Sequence, residues 1–175
     1  MLSLHVEKKT SKKKRQKMRT RTAHWFETRI RYDKVMEDGK QKKVTEQYVV
    51  DALSFGEAEE AIAKEMRTYI SGEFEVKAIT PTAYGEIFFS DNSSDDRWYK
   101  AKLSFITIDE KTEKEKRSSV NYLVQASSVQ SAVKNVEEVM GTTMIDYVIA
   151  AITETKIMDV FEHKAQTKDD KPEVE

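Results

Sequence analysis

An α+β fold made of an internally duplicated β-β-α-β unit is predicted by three observations. The phrase "AITPTAYGEIF" (78–88) returns as "AITETKIMDVF" (151–161), at an offset of 73 residues. Apolar residues alternate with period two in four segments, the mark of half-buried strands. Two further segments carry a single apolar stripe at helical spacing, as expected of helices lying on a sheet.

The echo extends over the whole body. Trp25-Phe26 matches Trp98-Tyr99, and Ile30 and Tyr32 match Leu103 and Phe105. "YVVDALS" (48–54) matches "YLVQASS" (122–128) one residue later, so the intervening hairpin has gained a residue. Phe74, Val76, Ala78 and Ile79 then match Tyr147, Ile149, Ala151 and Ile152, where the original offset is restored. Such compensating shifts belong in loops, where length changes cost least.

In the first strands, alternation puts Phe26, Thr28, Ile30 and Tyr32 on one face, with Tyr99, Ala101, Leu103 and Phe105 as counterparts. "MEDGKQ" is a hairpin turn with an Asp-Gly signal, and "DEKTEKEKR" is its longer equivalent. Tyr48, Val50 and Ala52, and Val120, Tyr122, Val124 and Ala126, continue the inner face in the second strands. Ser54-Phe-Gly-Glu57 and Ser127-Ser-Val-Gln130 fit helix capping boxes, in which side chains satisfy the unpaired N–H groups of the first turn. Helix one repeats apolar residues at 58, 61, 62, 66 and 69, and helix two at 129, 132, 133, 136, 139 and 140. Gly72 and Gly141 mark the exits. "EFEVKAIT" and "DYVIAAIT" are third strands. The segments after them read as a short extra strand or a bent continuation.

The organisation is then a basic arm (1–21), a first repeat (22–89), a linker of turn formers "SDNSSDDR" (90–97), a second repeat (98–162) and a polar tail (163–175). One unit alone would be marginal. Two related by a pseudo-twofold axis would form one antiparallel sheet or two facing sheets, with one helix per repeat.

The 175 residues carry 38% hydrophobic and 35% charged residues and no cysteine. Disulfides, thiolate metal sites and cysteine nucleophiles are therefore excluded, which fits a cytoplasmic location. No apolar run is long enough to span a membrane. The net charge of −1 conceals an asymmetry: residues 1–21 hold nine Lys or Arg and one Glu, leaving 21 basic and 30 acidic residues in the rest. Met18, opening "MRTRTAHWFE", is a second plausible start, so residues 1–17 read as a functional arm, a solubilising tail or an upstream extension.

Little here carries chemistry. His5, His24 and His163 are not spaced as metal ligands. With five glycines there is no phosphate-binding or nucleophile-elbow motif. Catalytic residues, metal and cofactor are all expected to be absent. The weakest alternative is a hydrolase using Glu86 and Asp159, brought together by the pseudo-twofold as an acid–base or metal-binding pair.

The strand faces opposite the helices are more informative. They present Trp25, Arg29 and Arg31 in the first repeat, and Trp98, Lys100, Lys102, Leu123, Val148 and Ile152 in the second. Trp and Arg are favoured interface anchors, so the leading expectation is a non-enzymatic binding protein that uses this face for a protein partner or for dimerisation. Aromatics beside cations also stack bases and meet phosphates. The alternative is therefore nucleic-acid binding through these residues and the basic stretch 8–21. A purely structural reading also stands: each Trp covers the edge of its own core. Leu123, Val148 and Ile152 together would form an apolar patch that something must cover.

The run "WFETRIRYDKVMEDGKQKKVTEQYVVDALSFGEAEEAI", with "ISGEF", "EIFFSD" and "IMDVF", resembles a family of uncharacterised small proteins of bacteria and their phages. The resemblance spans about residues 18–161. It implies no activity, cofactor or site residue, and implies a bacterial or phage cytoplasmic setting.

Overall fold

The computed structural model describes residues 24–162 and the backbone of 19–21. Its elements are β1 (Arg19–Arg21), β2 (Trp25–Val35), β3 (Gln41–Asp51), α1 (Phe55–Tyr69), β4 (Phe74–Pro81), β5 (Tyr84–Phe89), β6 (Arg97–Ile108), β7 (Glu115–Ala126), α2 (Val129–Met140), β8 (Tyr147–Glu154) and β9 (Ile157–Phe161). The duplication is real at the level of structure: β2-β3-α1-β4-β5 and β6-β7-α2-β8-β9 follow the same order.

The sheets are two, not one. Strands β1-β5-β7-β6-β8 form the first and β4-β2-β3-β9 the second. Within each repeat the pairing is antiparallel, as in Trp25 opposite Asp51 and Arg97 opposite Ala126. The last strand of each repeat, however, leaves its own sheet. β5 of the first repeat lies parallel to β7 of the second, and β9 of the second lies parallel to β3 of the first. Both sheets are therefore mixed, and the repeated closing phrase is a pair of exchanged strands. The crossings begin alike: the N–H of Thr82 donates to the Trp25 carbonyl, and that of Thr155 to the Trp98 carbonyl, each at 2.9 Å.

Each sheet buries one face under its own helix. Phe26, Ile30, Tyr48 and Val50 meet Ala58, Ile62 and Met66 of α1. Phe88, Ala101, Leu103 and Val124 meet Val136 and Met140 of α2. Burying a side chain such as Ile62 stabilises the fold by about 1.5–3 kcal/mol. Helix starts follow the capping logic with two departures, the first being that Glu57 Oε2 accepts from the N–H of Leu53 at 2.9 Å rather than from that of Ser54. Ser54 Oγ accepts from the N–H of Glu57 at 3.2 Å, as expected. In the second helix the cap is Ser128, not Ser127, and the reciprocal residue is Ser131, not Gln130. A hydroxyl on the first turn does the work assigned to the amide, so the helix begins one residue later.

The two remaining sheet faces pack on each other. Trp25, Val49, Ile157 and Val160 come from one sheet, and Ile87, Phe89, Trp98 and Leu123 from the other. The result is four layers: helix, sheet, sheet, helix. Phe89 sits at the centre, 6.2 Å from the Trp25 ring and 5.5 Å from the Trp98 ring. Gly85 lets β5 enter its host sheet, since a Cβ there would lie 2.9 Å from Val120 Cγ1.

Candidate functional site

The face expected to bind partners is largely internal. Trp25, Trp98 and Leu123 are buried between the sheets, at 3%, 2% and 0% exposure. They are not available to a ligand, because the opposite repeat and the exchanged strands β5 and β9 cover them. This corrects the sequence expectation: a lone repeat has an uncovered face, but the duplicated chain supplies its own cover. The cover is incomplete. Further along the same faces, Arg29, Lys100 and Lys102 are exposed and Arg31 is half-buried. The sheets thus meet only near the two tryptophans, and the cations stand beyond the packed zone.

Val148 remains 42% exposed, and Met144 and Ile145 just before it are 101% and 52% exposed. Ile152 does not lie beside Val148. A bulge opposite Lys102–Leu103 breaks the alternation of β8, so Leu103 pairs with Ile149 but Lys102 with Ala151. The extra residue, Ala150, turns Ile152 toward α2, where it is half-buried against that core. A bulge inserts one residue and reverses the side-chain phase beyond it, which period-two counting misses. The same bulge occurs in β4, opposite Arg29–Ile30.

Glu86 and Asp159 are not brought together. Glu86 lies on the α2 side of its sheet, where it raises the Tyr122 pKa after burial of that phenol. Asp159 lies on the α1 side of the other sheet. There desolvation raises its carboxyl pKa, with a smaller contribution from Glu65, while an N–H···O bond from Val160 at 2.8 Å opposes the rise. Both sheets stand between the two groups, and stacked sheets alone are about 10 Å apart. No acid–base or two-carboxylate metal site can form from them. Among the described residues no three His, Asp or Glu side chains gather as metal ligands. His24 is exposed, and His5 and His163 lie outside the described residues. The stretch 8–21 also lies outside them, except for the backbone of Arg19–Arg21, which pairs with Ile87–Phe89.

Two polar clusters were not anticipated. In the linker, Asp95 is 7% exposed, accepts from Ser90 Oγ, and meets Asn135 Nδ2 at 3.5 Å. Asn135 also donates to the Gln125 carbonyl at 3.0 Å, and the N–H of Ser90 donates to Gln125 Oε1 at 2.9 Å. These bonds pin the linker to α2 and β7 beside a polar groove of about 580 Å³. The turn-former composition signalled a loop, but not that its carboxylate would be buried.

The second cluster lies on the α1 side. Glu46 accepts from the hydroxyls of Tyr32 at 2.8 Å and Tyr48 at 2.6 Å. Burial, then Glu46, pushes the Tyr32 pKa up to about 12 and raises that of Tyr48 as well. A phenol whose pKa is higher folded than unfolded stabilises the fold in its protonated form. That contribution is complete below the unfolded value of 10.0 and is lost as pH rises through about 12. Stability is therefore expected to fall across that window in denaturant titrations, and the fall should be shallower in Tyr32→Phe/Tyr48→Phe.

The strand edges complete the surface. β4 and β8, equivalent in the two repeats, are both terminal strands of their sheets. β4 reads FEVKAITP and carries Glu75, Lys77 and Pro81, whereas β8 reads YVIAAITE and is uncharged until Glu154. No described helix is long and apolar enough to cross a membrane. A family model described as a domain of unknown function (DUF4494) matches residues 24–163. No curated protein and no solved structure matches the chain.

Proposed function

Since the chain belongs to the DUF4494 family, whose description assigns no activity, we propose from the geometry that it is a non-enzymatic interaction protein acting through the β8 end of its five-stranded sheet. The observation that carries this reading is the exposed apolar group Met144, Ile145 and Val148 at the start of a terminal strand that carries no charge before Glu154. The other large apolar residues expected on this sheet face, Trp98 and Leu123, are buried. Exposed apolar side chains grouped at one place on a surface mark a contact site more often than scattered ones do. The bacterial or phage cytoplasm is the setting we propose, supported by the sequence resemblance.

The test is quantitative affinity capture with the full chain and with Met144→Asp/Val148→Asp as bait, both checked for folding by circular dichroism. Bound species that are lost with the variant support the reading. Retention of every bound species overturns it.

Nucleic-acid binding is the second reading, favoured by the exposure of Arg29, Lys100 and Lys102 and by the basic stretch 8–21. With both tryptophans buried, base stacking on them has no surface, and what remains is phosphate contact. Any binding is then expected to weaken steeply with salt and to leave tryptophan emission unchanged. Strong quenching by single-stranded oligonucleotides would contradict this.

A further inference from the structure

We infer that the occupant of the β8 edge is a second copy of this chain, paired antiparallel with β8 across a twofold axis so that the two five-stranded sheets become continuous. This deepens the interaction reading and rests on it.

Three observations carry the inference. The first is that no described strand pairs with the outer edge of β8. A strand edge presents unpaired N–H and C=O groups, which another strand satisfies directly.

The second is an internal comparison. The chain contains the same edge twice, once guarded and once not. Where β4 carries Glu75, Lys77 and Pro81, the equivalent positions of β8 are Val148, Ala150 and Glu154. Charges on an edge and a proline without an N–H are the usual protection against strand addition. β8 lacks the central charges and the proline, in a fold that tolerates all three at the equivalent strand.

The third is the bulge at Ala150. Two antiparallel copies of β8 centred between Ala150 and Ala151 set Tyr147 opposite Glu154, Val148 opposite Thr153, and Ile149 opposite Ile152. In a regular strand these partners differ by an odd number of residues and would point to opposite faces. The bulge reverses the phase halfway along. Tyr147, Ile149 and Ile152 all pack on the α2 side, while Val148 and Thr153 are both exposed. Each residue therefore meets a partner on its own face. Ile149–Ile152 become apolar cross-strand pairs, and the self-complementarity required by an isologous contact is met. In the same arrangement β4 would place Lys77 of each copy beside the axis and Pro81 at the ends.

Sedimentation equilibrium on the full chain tests this. The wild type is expected to be dimeric at concentrations on the order of 100 µM. Val148→Glu/Ala150→Lys, which transplants the β4 residues, is expected to weaken the dimer on the order of a hundredfold by setting two lysines at the axis. At concentrations low enough for both proteins to be monomeric, its thermal unfolding should match that of the wild type. A monomeric wild type, or a variant that dimerises as strongly, overturns the proposal. If the variant fails to fold, hydrogen exchange of wild-type β8 amides decides: protection that rises with protein concentration supports the dimer, and concentration-independent exchange overturns it. A monomeric wild type that still captures another protein in a Val148-dependent way removes self-pairing and keeps the interaction reading. Loss of both removes the two together.

Discussion

Trp25→Ala and Trp98→Ala are each expected to cost about 3–5 kcal/mol of stability, the range for truncating a buried aromatic. Both rings touch Phe89 at the centre of the inter-sheet core, and a cavity there is shared by both sheets. Urea denaturation would register the loss as a lower midpoint. Trp25→Phe should cost much less: Trp25 Nε1 is buried and has no hydrogen-bond partner among the described residues, so phenylalanine removes an unpaired donor while keeping most of the ring. Substituting the exposed Lys100 or Lys102 on the same strand face should change stability by no more than about 0.5 kcal/mol. This contrast separates two accounts of one face. If the tryptophans were binding residues, their loss would weaken a complex and leave folding intact. The burial observed here requires the reverse.

The second large effect concerns the exchanged strand. A chain ending at Thr155 is expected to lose at least as much stability as either tryptophan variant, and to lose it in the wrong repeat by sequence position. Truncation removes Ile157 and Val160 from the inter-sheet core and β9 from the edge of β3. It also removes Phe161, whose ring stacks on Tyr48 at 5.6 Å and Tyr69 at 6.3 Å. Hydrogen exchange should therefore show lost protection at Gln47–Val50, more than a hundred residues before the cut. Loss of protection confined to β6–β8 would contradict the strand exchange. Tyr69 is 67% exposed even with Phe161 in place, so truncation would uncover it further, while Met66 and Ile70 still hold the end of α1.

Much of the fold was legible in the residues. Phe26, Ile30 and Tyr48 on one strand face, and Ala58, Ile62 and Met66 on one helix stripe, are local patterns with the periods of their elements. They pack together as those periods require. The candidate site was far less legible. Val49 and Leu123 look the same in sequence whether their face meets water, a partner or another sheet. Alternation alone puts Ile152 on the wrong face, because the bulge at Ala150 is set by pairing with β6. The buried Asp95 was also hidden, since its partners Ser90 and Asn135, each bonded in turn to Gln125, converge only after the linker folds onto α2.

The sequence by itself determined the elements, their duplication and the helix-covered faces, because propensity, capping and side-chain period act over a few residues. Only the tertiary structure decided what the repeated phrase does. "AYGEIF" and "TKIMDVF" close the sheet of the opposite repeat, not their own. That choice depends on which of two similar edges offers the better parallel partner and on the shared burial of Trp25, Phe89 and Trp98. These are long-range contacts between nearly identical units, and nothing local distinguishes a strand that stays from one that crosses.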